Sequence, residues 1–290
     1  MKNQQPRRTD KRFADCSACL QKLTSFLYNK PMNRNLRKSA TILACKTVGE
    51  QNRLVTMLTA EDGVCTALLY GGPKSKLRSL VSPYHTGTIW LYTDAAKKST
   101  KITDFDVTSF RPSLRENLYK SWAAALCAEL LIKTCATGSE VFKIANGFLD
   151  GLNLSSEEAA KAGTVRFLWR YQQELGVQCD TQFCAICGAD FARFAGDQLG
   201  LYSAVNAGFL CPHCTADGLA SNDKGFSIFV EGIKYLNGVT NLAPKQSRAL
   251  PLSEATFHQL EELCFFLTNQ AADGHLKTLE SLRLFVSTPR

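Results

Sequence analysis

Two short cysteine knuckles constrain this chain more than any other feature: Cys184-Ala185-Ile186-Cys187 and Cys211-Pro212-His213-Cys214, with 23 residues between them. A Cys-x2-Cys turn puts two thiolates on one side of a tight loop. Two such turns facing each other place four sulfurs at tetrahedral corners, which suits Zn²⁺. The stretch between the pairs is slightly longer than the usual four-cysteine spacing. The pattern predicts one structural zinc on Cys184, Cys187, Cys211 and Cys214, in a module at about residues 180–218. Four thiolates fill the coordination sphere and leave no position for an activated water, so the centre reads as a staple and not a catalyst. The plainer alternative is four buried reduced thiols. A further pair, Cys16 and Cys19, has no second knuckle and reads as incidental.

The chain has 12 cysteines in 290 residues. The N-terminus is basic but has no apolar h-region, so it does not read as a secretory signal. Many cysteines without such a signal point to a reducing cytoplasm and metal binding, not to a disulfide framework. No apolar run approaches the length that spans a bilayer. The length admits two domains and a small module besides.

The net charge of +8 is unevenly placed: +6 in residues 1–35, +4 in 36–110 and −2 in 111–290. A basic front on a near-neutral body fits an anionic partner held mainly by the front. Residues 1–31 are polar, basic and without sustained periodicity. They read as an unstructured extension, with Met32 a candidate start; without them the charge is +3.

Residues 32–110 read as strands. Ala40–Val48, Arg53–Thr59, Val64–Tyr70, Thr86–Tyr92 and Ile102–Phe110 are apolar or alternating, and Asp62-Gly63 is a hairpin signal. Ile89 and Leu91 fall on one face of the fourth run, Trp90 and Tyr92 on the other. Five strands in about 70 residues match an OB-type barrel, with an SH3-like barrel as competitor. From residue 111 the period becomes helical. Leu118, Trp122, Leu126 and Leu130 recur every fourth residue, and Glu140–Leu152 repeats the theme. Ser155 with Glu158 predicts a capping box for a helix that ends at Gly176. Lys224–Val239 reads as another helix, and Ser253 caps a final one. Trp122 and Trp169 read as core. The fold class is thus α+β: a five-stranded barrel, then a helical domain over 111–290 carrying an inserted four-cysteine zinc module.

Catalysis finds no support. The four histidines, His85, His213, His258 and His275, include no His-x-Glu before a Pro-Cys-x-x-Cys, so the zinc deaminase pattern is missing. There is no Walker A loop and no dinucleotide fingerprint.

The order of barrel, helices and cysteine module resembles the RecO family of bacterial recombination mediators. Three segments carry the likeness. The first is Gly49-Glu50-Gln51-Asn52-Arg53-Leu54-Val55-Thr56, with Leu58-Thr59 and Gly63. The second is Gly71-Gly72-Pro73-Lys74-Ser75-Lys76-Leu77-Arg78, with Leu80 and Pro83-Tyr84. The third is Phe167-Leu168-Trp169-Arg170 and Glu174-Leu175-Gly176, followed by both cysteine knuckles. The likeness covers roughly residues 32–285. It implies a non-enzymatic, cytoplasmic, nucleoid-associated protein that binds single- and double-stranded DNA and anneals complementary strands. It also implies partnership with RecR and single-stranded DNA-binding protein, and help in loading RecA. Residues 1–31 depart from the family pattern.

The residues point to nucleic acid on their own terms as well. OB barrels hold strands on one face, flanked by the loops after strand one and before strand five. Lys46 and Arg53 border the first loop, and Lys97, Lys98 and Lys101 lie in the second. Lys74, Lys76 and Arg78, if extended, point the same way. Arg166 and Arg170, one helical turn apart, extend the basic surface or pair with Glu174. Lysines suit phosphate contacts that ignore base sequence. Tyr70, Tyr84, Trp90 and Tyr92 are candidates for base stacking. The bland readings are solvated lysines and barrel-core aromatics. The competing function is a zinc-containing protein-interaction scaffold that does not bind DNA directly.

Overall fold

The computed structural model describes residues 35–72, 74–94, 98–217 and 225–286. The expectations for residues 1–31, for Met32 and for Lys97 lie outside the described residues.

The front of the chain forms a closed five-stranded barrel. Its strands are β1 (Asn35–Val48), β2 (Asn52–Thr59), β3 (Gly63–Leu69), β4 (Thr86–Asp94) and β5 (Ser99–Ser109). They pair in the order β1-β2-β3-β5-β4, with β1 closing on β4. Every pair is antiparallel except β3 with β5. Period-two alternation turns Ile42, Val55, Met57, Leu69, Ile89 and Leu91 inward as a buried core. A short helix, α1 (Lys76–Leu80), plugs the barrel with Leu77, Leu80 and the following Val81. Ile102 and Phe105 both face the core, although strict alternation places them on opposite faces. A register shift in β5 opposite Trp90/Leu91 supplies the extra residue that reconciles them.

Helices follow from Ser113: α2 (Ser113–Glu116), α3 (Leu118–Lys133), α4 (Ser139–Leu154) and α5 (Glu157–Glu174). The cap of α5 is Ser156, whose hydroxyl accepts from the Ala159 N–H, and not Ser155, which ends the preceding helix. Gly176 takes the left-handed φ of +68° expected of a helix stop. The cysteine region then adds a three-stranded sheet of β6 (Leu199–Ser203), β7 (Gly208–Leu210) and β8 (Phe226–Phe229), with α6 (Pro212–Ala216) between the last two. The segment expected as one helix over Lys224–Val239 therefore begins as a strand. Phe226–Phe229 pairs with β6 before α7 (Val230–Asn241) starts. The fold ends with α8 (Pro244–Ser247), α9 (Glu254–Ala271, capped by Ser253) and α10 (Lys277–Val286), two helices more than the sequence reading gave. Among the described residues no helix is long and apolar enough to cross a membrane.

Three devices stand out among the described residues that join the barrel to the helices. Leu43 and Leu58 leave the barrel's outer face to enter the helical core. The β2–β3 hairpin docks at Gly63, where an added Cβ would lie 2.4 Å from the Ala136 carbonyl, and the Val64 N–H donates to that carbonyl at 2.9 Å. Arg111 is the third. Its buried guanidinium donates to Asp150 at 2.7 Å and Asn146 at 3.0 Å on α4, and to the Tyr84 carbonyl at 2.6 Å and the Thr86 hydroxyl at 2.7 Å on the barrel side.

Candidate metal centre and nucleic-acid face

The four knuckle cysteines meet. Cys184 and Cys187 flank the turn after an isolated bridge between Phe183 and Asp190, which Gly188 closes at a φ of +70°. Cys211 precedes α6 and Cys214 lies within it. The β6–β7 hairpin brings the second knuckle to the first through the Ala185 N–H, which donates to the Phe209 carbonyl at 2.9 Å. The Cys184 and Cys214 sulfurs are 3.9 Å apart, the Cys187 and Cys211 sulfurs 3.7 Å, and all four lie within 4.8 Å of one another. A tetrahedral Zn–S length of about 2.3 Å requires sulfurs about 3.8 Å apart, so the donor set fits a four-thiolate ion. Burial opposes charging Cys184, but N–H groups of Cys187, Cys211 and Ile186 outweigh it and bring the thiol down to about 7. Burial and the sulfurs beside it push Cys214 the other way. Without a cation the cluster resists full ionisation; a divalent ion removes that repulsion.

The module is not a separate bead. Cys184, Phe191, Tyr202, Phe209 and Cys214 belong to the same buried cluster as Trp169 and Leu236 of the helices.

The basic candidates divide by place. Antiparallel and parallel registers link Lys46 to Leu54, Leu54 to Leu68, Leu68 to Lys101, Lys101 to Tyr92 and Tyr92 to Asn35. Partners in register point to one side of the sheet, so this is a continuous row on the barrel's outer face. Lys46 and Lys101 are exposed in it, on β1 and β5, which lie two strands apart around the closed barrel through β4. Lys98, at the end of the β4–β5 connection, is exposed three residues before Lys101. Arg53 has the opposite parity. It turns toward the barrel mouth, where it donates to the Arg78 carbonyl at 3.4 Å.

The 74–78 segment is not extended. It enters α1, which leaves Lys74 and Lys76 exposed and folds Arg78 back. Arg78 donates to the carbonyls of Gln51 at 2.7 Å and Gly71 at 3.1 Å, tying the first loop to the turn before α1. Tyr84 also departs from its expected role. Its φ of +70° turns it onto the helical core, and burial pushes its phenol up to about 12. Trp90 and Tyr92 do stand outside the barrel, half-buried, under Arg37 and Lys101 respectively.

Arg166 and Arg170 lie far along the chain from this row, on the wall of a cleft of about 720 Å³ between α4 and α5. Arg166 donates to the Tyr235 hydroxyl at 2.9 Å, and Arg170 to the Ser247 hydroxyl at 2.9 Å and the Val239 carbonyl at 3.2 Å. They pair with α7 and α8, not with Glu174. Burial and the charges of Arg166 and Arg248 lower the Arg170 pKa, a sign that three guanidinium groups converge there.

Sequence reasoning missed Arg37, because the first strand was expected to begin at Ala40 and β1 begins five residues earlier. It missed Arg111 and Arg248 because their roles depend on contacts between residues far apart in the chain, which no local pattern carries.

Comparison with known proteins decides the family. The model described as "Recombination protein O N terminal" matches residues 32–111, and "Recombination protein O C terminal" matches residues 113–280. The chain belongs to the RecO family. Proteins named "DNA repair protein RecO" share its pattern at low identity. That of Bacillus pumilus is 26% identical over 187 residues, covering 62% of this chain and 68% of its own length. That of Myxococcus xanthus is 24% identical over 181 residues, covering 60% and 70%. That of Shouchella clausii is 26% identical over 181 residues, covering 61% and 68%. Membership gives this RecO-family chain a role in DNA repair and recombination, with an OB-like barrel at its front.

Proposed function

We propose that this protein is a non-enzymatic recombination mediator, cytoplasmic and nucleoid-associated, which binds single- and double-stranded DNA and promotes strand annealing. The observation that carries the reading is the outward row with Lys46 and Lys101, with exposed Lys74 and Lys76 beyond the end of β3 and exposed Lys98 on the β4–β5 connection. Cations on flexible stems, spread around the barrel's outer surface, hold phosphates without reading sequence. Annealing then follows from charge. Two strands held on one cationic surface no longer repel, and their bases are left free to test pairing.

In this reading residues 32–110 form the DNA-binding unit, and the helical part over 111–290 carries the zinc module at 180–218. Zn²⁺ on Cys184, Cys187, Cys211 and Cys214 supplies only structure, since the four sulfurs complete its sphere. The cleft bearing Arg166 and Arg170 supports a partner-binding role more than a phosphate track. Its apolar wall, with Ile144, Phe148 and Leu154, suits an extended peptide with acidic groups. RecR and single-stranded DNA-binding protein are the partners the family implies, with RecA served indirectly.

The test is fluorescence anisotropy against a single strand and a duplex, followed by an annealing assay with complementary oligonucleotides. Binding to both that weakens steeply with salt is expected. No binding at physiological salt would leave the protein-interaction scaffold as the better reading.

A further inference from the structure

The outer face of β4 carries two aromatic rings that a barrel does not need for its own core. Trp90 and Tyr92 are two residues apart on one face, half-buried, while Ile89 and Leu91 fill the interior. Their cross-strand partners on β1 are Arg37 and Asn35. The Arg37 guanidinium lies 5.5 Å from the Trp90 ring centre, and the Lys101 ammonium 4.7 Å from that of Tyr92. Tyr92 belongs to the row that runs through Lys101, Leu68, Leu54 and Lys46.

We propose that Trp90 and Tyr92 form a stacking platform for unpaired bases, with Arg37 and Lys101 as its phosphate clamps. The proposal rests on the DNA-binding reading above and names the form of DNA this face selects. The spacing makes the choice. Side chains two apart on a strand are separated by about 7 Å, twice the 3.4 Å between stacked bases of a duplex strand. Two rings at that spacing fit successive bases splayed apart, which only a single strand offers. Half-buried Leu54 and Leu68 extend the row as an apolar floor for sugars and bases between Lys101 and Lys46.

The cations above the rings do not block the site. An exposed cation–π contact is weaker than a stacked base, and both side chains have flexible stems. A strand that brings its phosphates to Arg37 and Lys101 draws them off the rings and frees the ring faces. Asp104, the neighbour of Trp90 on β5, and Asp106 beyond it carry like charge to DNA. They limit the track on that side and direct the strand along the Lys101 row.

The experiment is a cycle between rings and bases. Affinity is measured for oligo-dT and for an abasic strand of equal length, which keeps every phosphate and removes every base. Wild-type protein should prefer oligo-dT by roughly tenfold or more, since one stacked base accounts for about that factor. Trp90→Ala with Tyr92→Ala should bring that ratio close to one. Lys46→Ala should weaken both ligands alike and keep the ratio. Trp90→Phe with Tyr92→Phe guards against misfolding, because it retains ring faces and should retain the preference. A wild-type ratio near one, or a ratio that survives loss of both rings, overturns the platform while leaving phosphate binding intact. Failure of the wild-type protein to bind either ligand overturns the DNA-binding reading and the platform with it.

Discussion

Arg111 sits at a φ of +50°, a left-handed backbone that costs a non-glycine residue energy, and it spends all its reach on joining two units. Four acceptors from barrel and helix converge on one buried guanidinium. Arg111→Ala should lower stability by about 2 kcal/mol, since it leaves the Tyr84 carbonyl without its donor and removes the link to Asp150 and Asn146. Urea unfolding followed by circular dichroism would check this; a change below about 1 kcal/mol would show the junction to rest on Leu43, Leu58 and the Gly63 hairpin.

Glu261 offers a second test at this scale. Its carboxyl is buried on α9, one oxygen has no hydrogen-bond partner, and His258 is 3.9 Å from the other. Burial raises its pKa to about 7, more than nearby Lys161 can offset. A carboxyl raised in the folded state keeps its proton while the unfolded chain ionises. Stability therefore falls as pH rises from about 4.5 to about 7 and stays low above that. Glu261→Gln should leave stability near pH 4.5 almost unchanged and add about 3 kcal/mol at pH 8. Denaturation midpoints at the two pH values would decide it, and an equal shift at both would show the charge to be irrelevant.

Among elements, the cysteine module makes the sharpest prediction. Its aromatic residues share a core with Trp169, whose indole N–H donates to Thr240 of α7 at 3.0 Å. Strong chelation, or Cys184→Ser with Cys187→Ser, should speed amide exchange in residues 180–217 and in the facing turns of α5 and α7. The barrel has its own buried cluster and should stay protected. Equal loss of protection in β1–β5 would contradict this division.

The elements also show what the sequence made legible. Alternation revealed β2, β3 and β4 almost to the residue, because each has one face in the barrel and one in solvent or on the helices. The knuckles were readable because a Cys-x2-Cys turn brings both thiols to one side of a local loop. The bulge that lets Ile102 and Phe105 share a face was not, since an extra residue looks like broken alternation. Nor was α1: Lys74, Lys76 and Arg78 fit an extended phosphate track in sequence, but Leu77, Leu80 and Val81 turn the segment into a plug. Phe226–Phe229 looked like the start of α7 because a four-residue apolar strand has no period of its own.

At the scale of the whole molecule, the described residues form two hydrophobic cores, joined by Arg111, the Gly63 hairpin and the Leu43 and Leu58 side chains. Among the described residues the barrel carries Lys46 and Lys101 exposed on one outward row, while Arg166 and Arg170 of the helical part line a cleft and bond to its walls. Charge on the barrel therefore governs DNA affinity in this account, and the helical body governs partners. Arg166→Ala and Arg170→Ala should disturb α7 and α8 packing and leave the salt slope of DNA binding unaltered; a slope that became shallower would move the phosphate track onto the helices.

The most direct measurement is the slope of log affinity for a single strand against log salt, for the wild type and for a variant with Lys46, Lys74, Lys76 and Lys101 all changed to alanine. Each lost phosphate contact should flatten the slope by about 0.7, so a total change of about 3 is expected. Parallel lines with equal slopes would show that these lysines touch no phosphate, and would contradict the account.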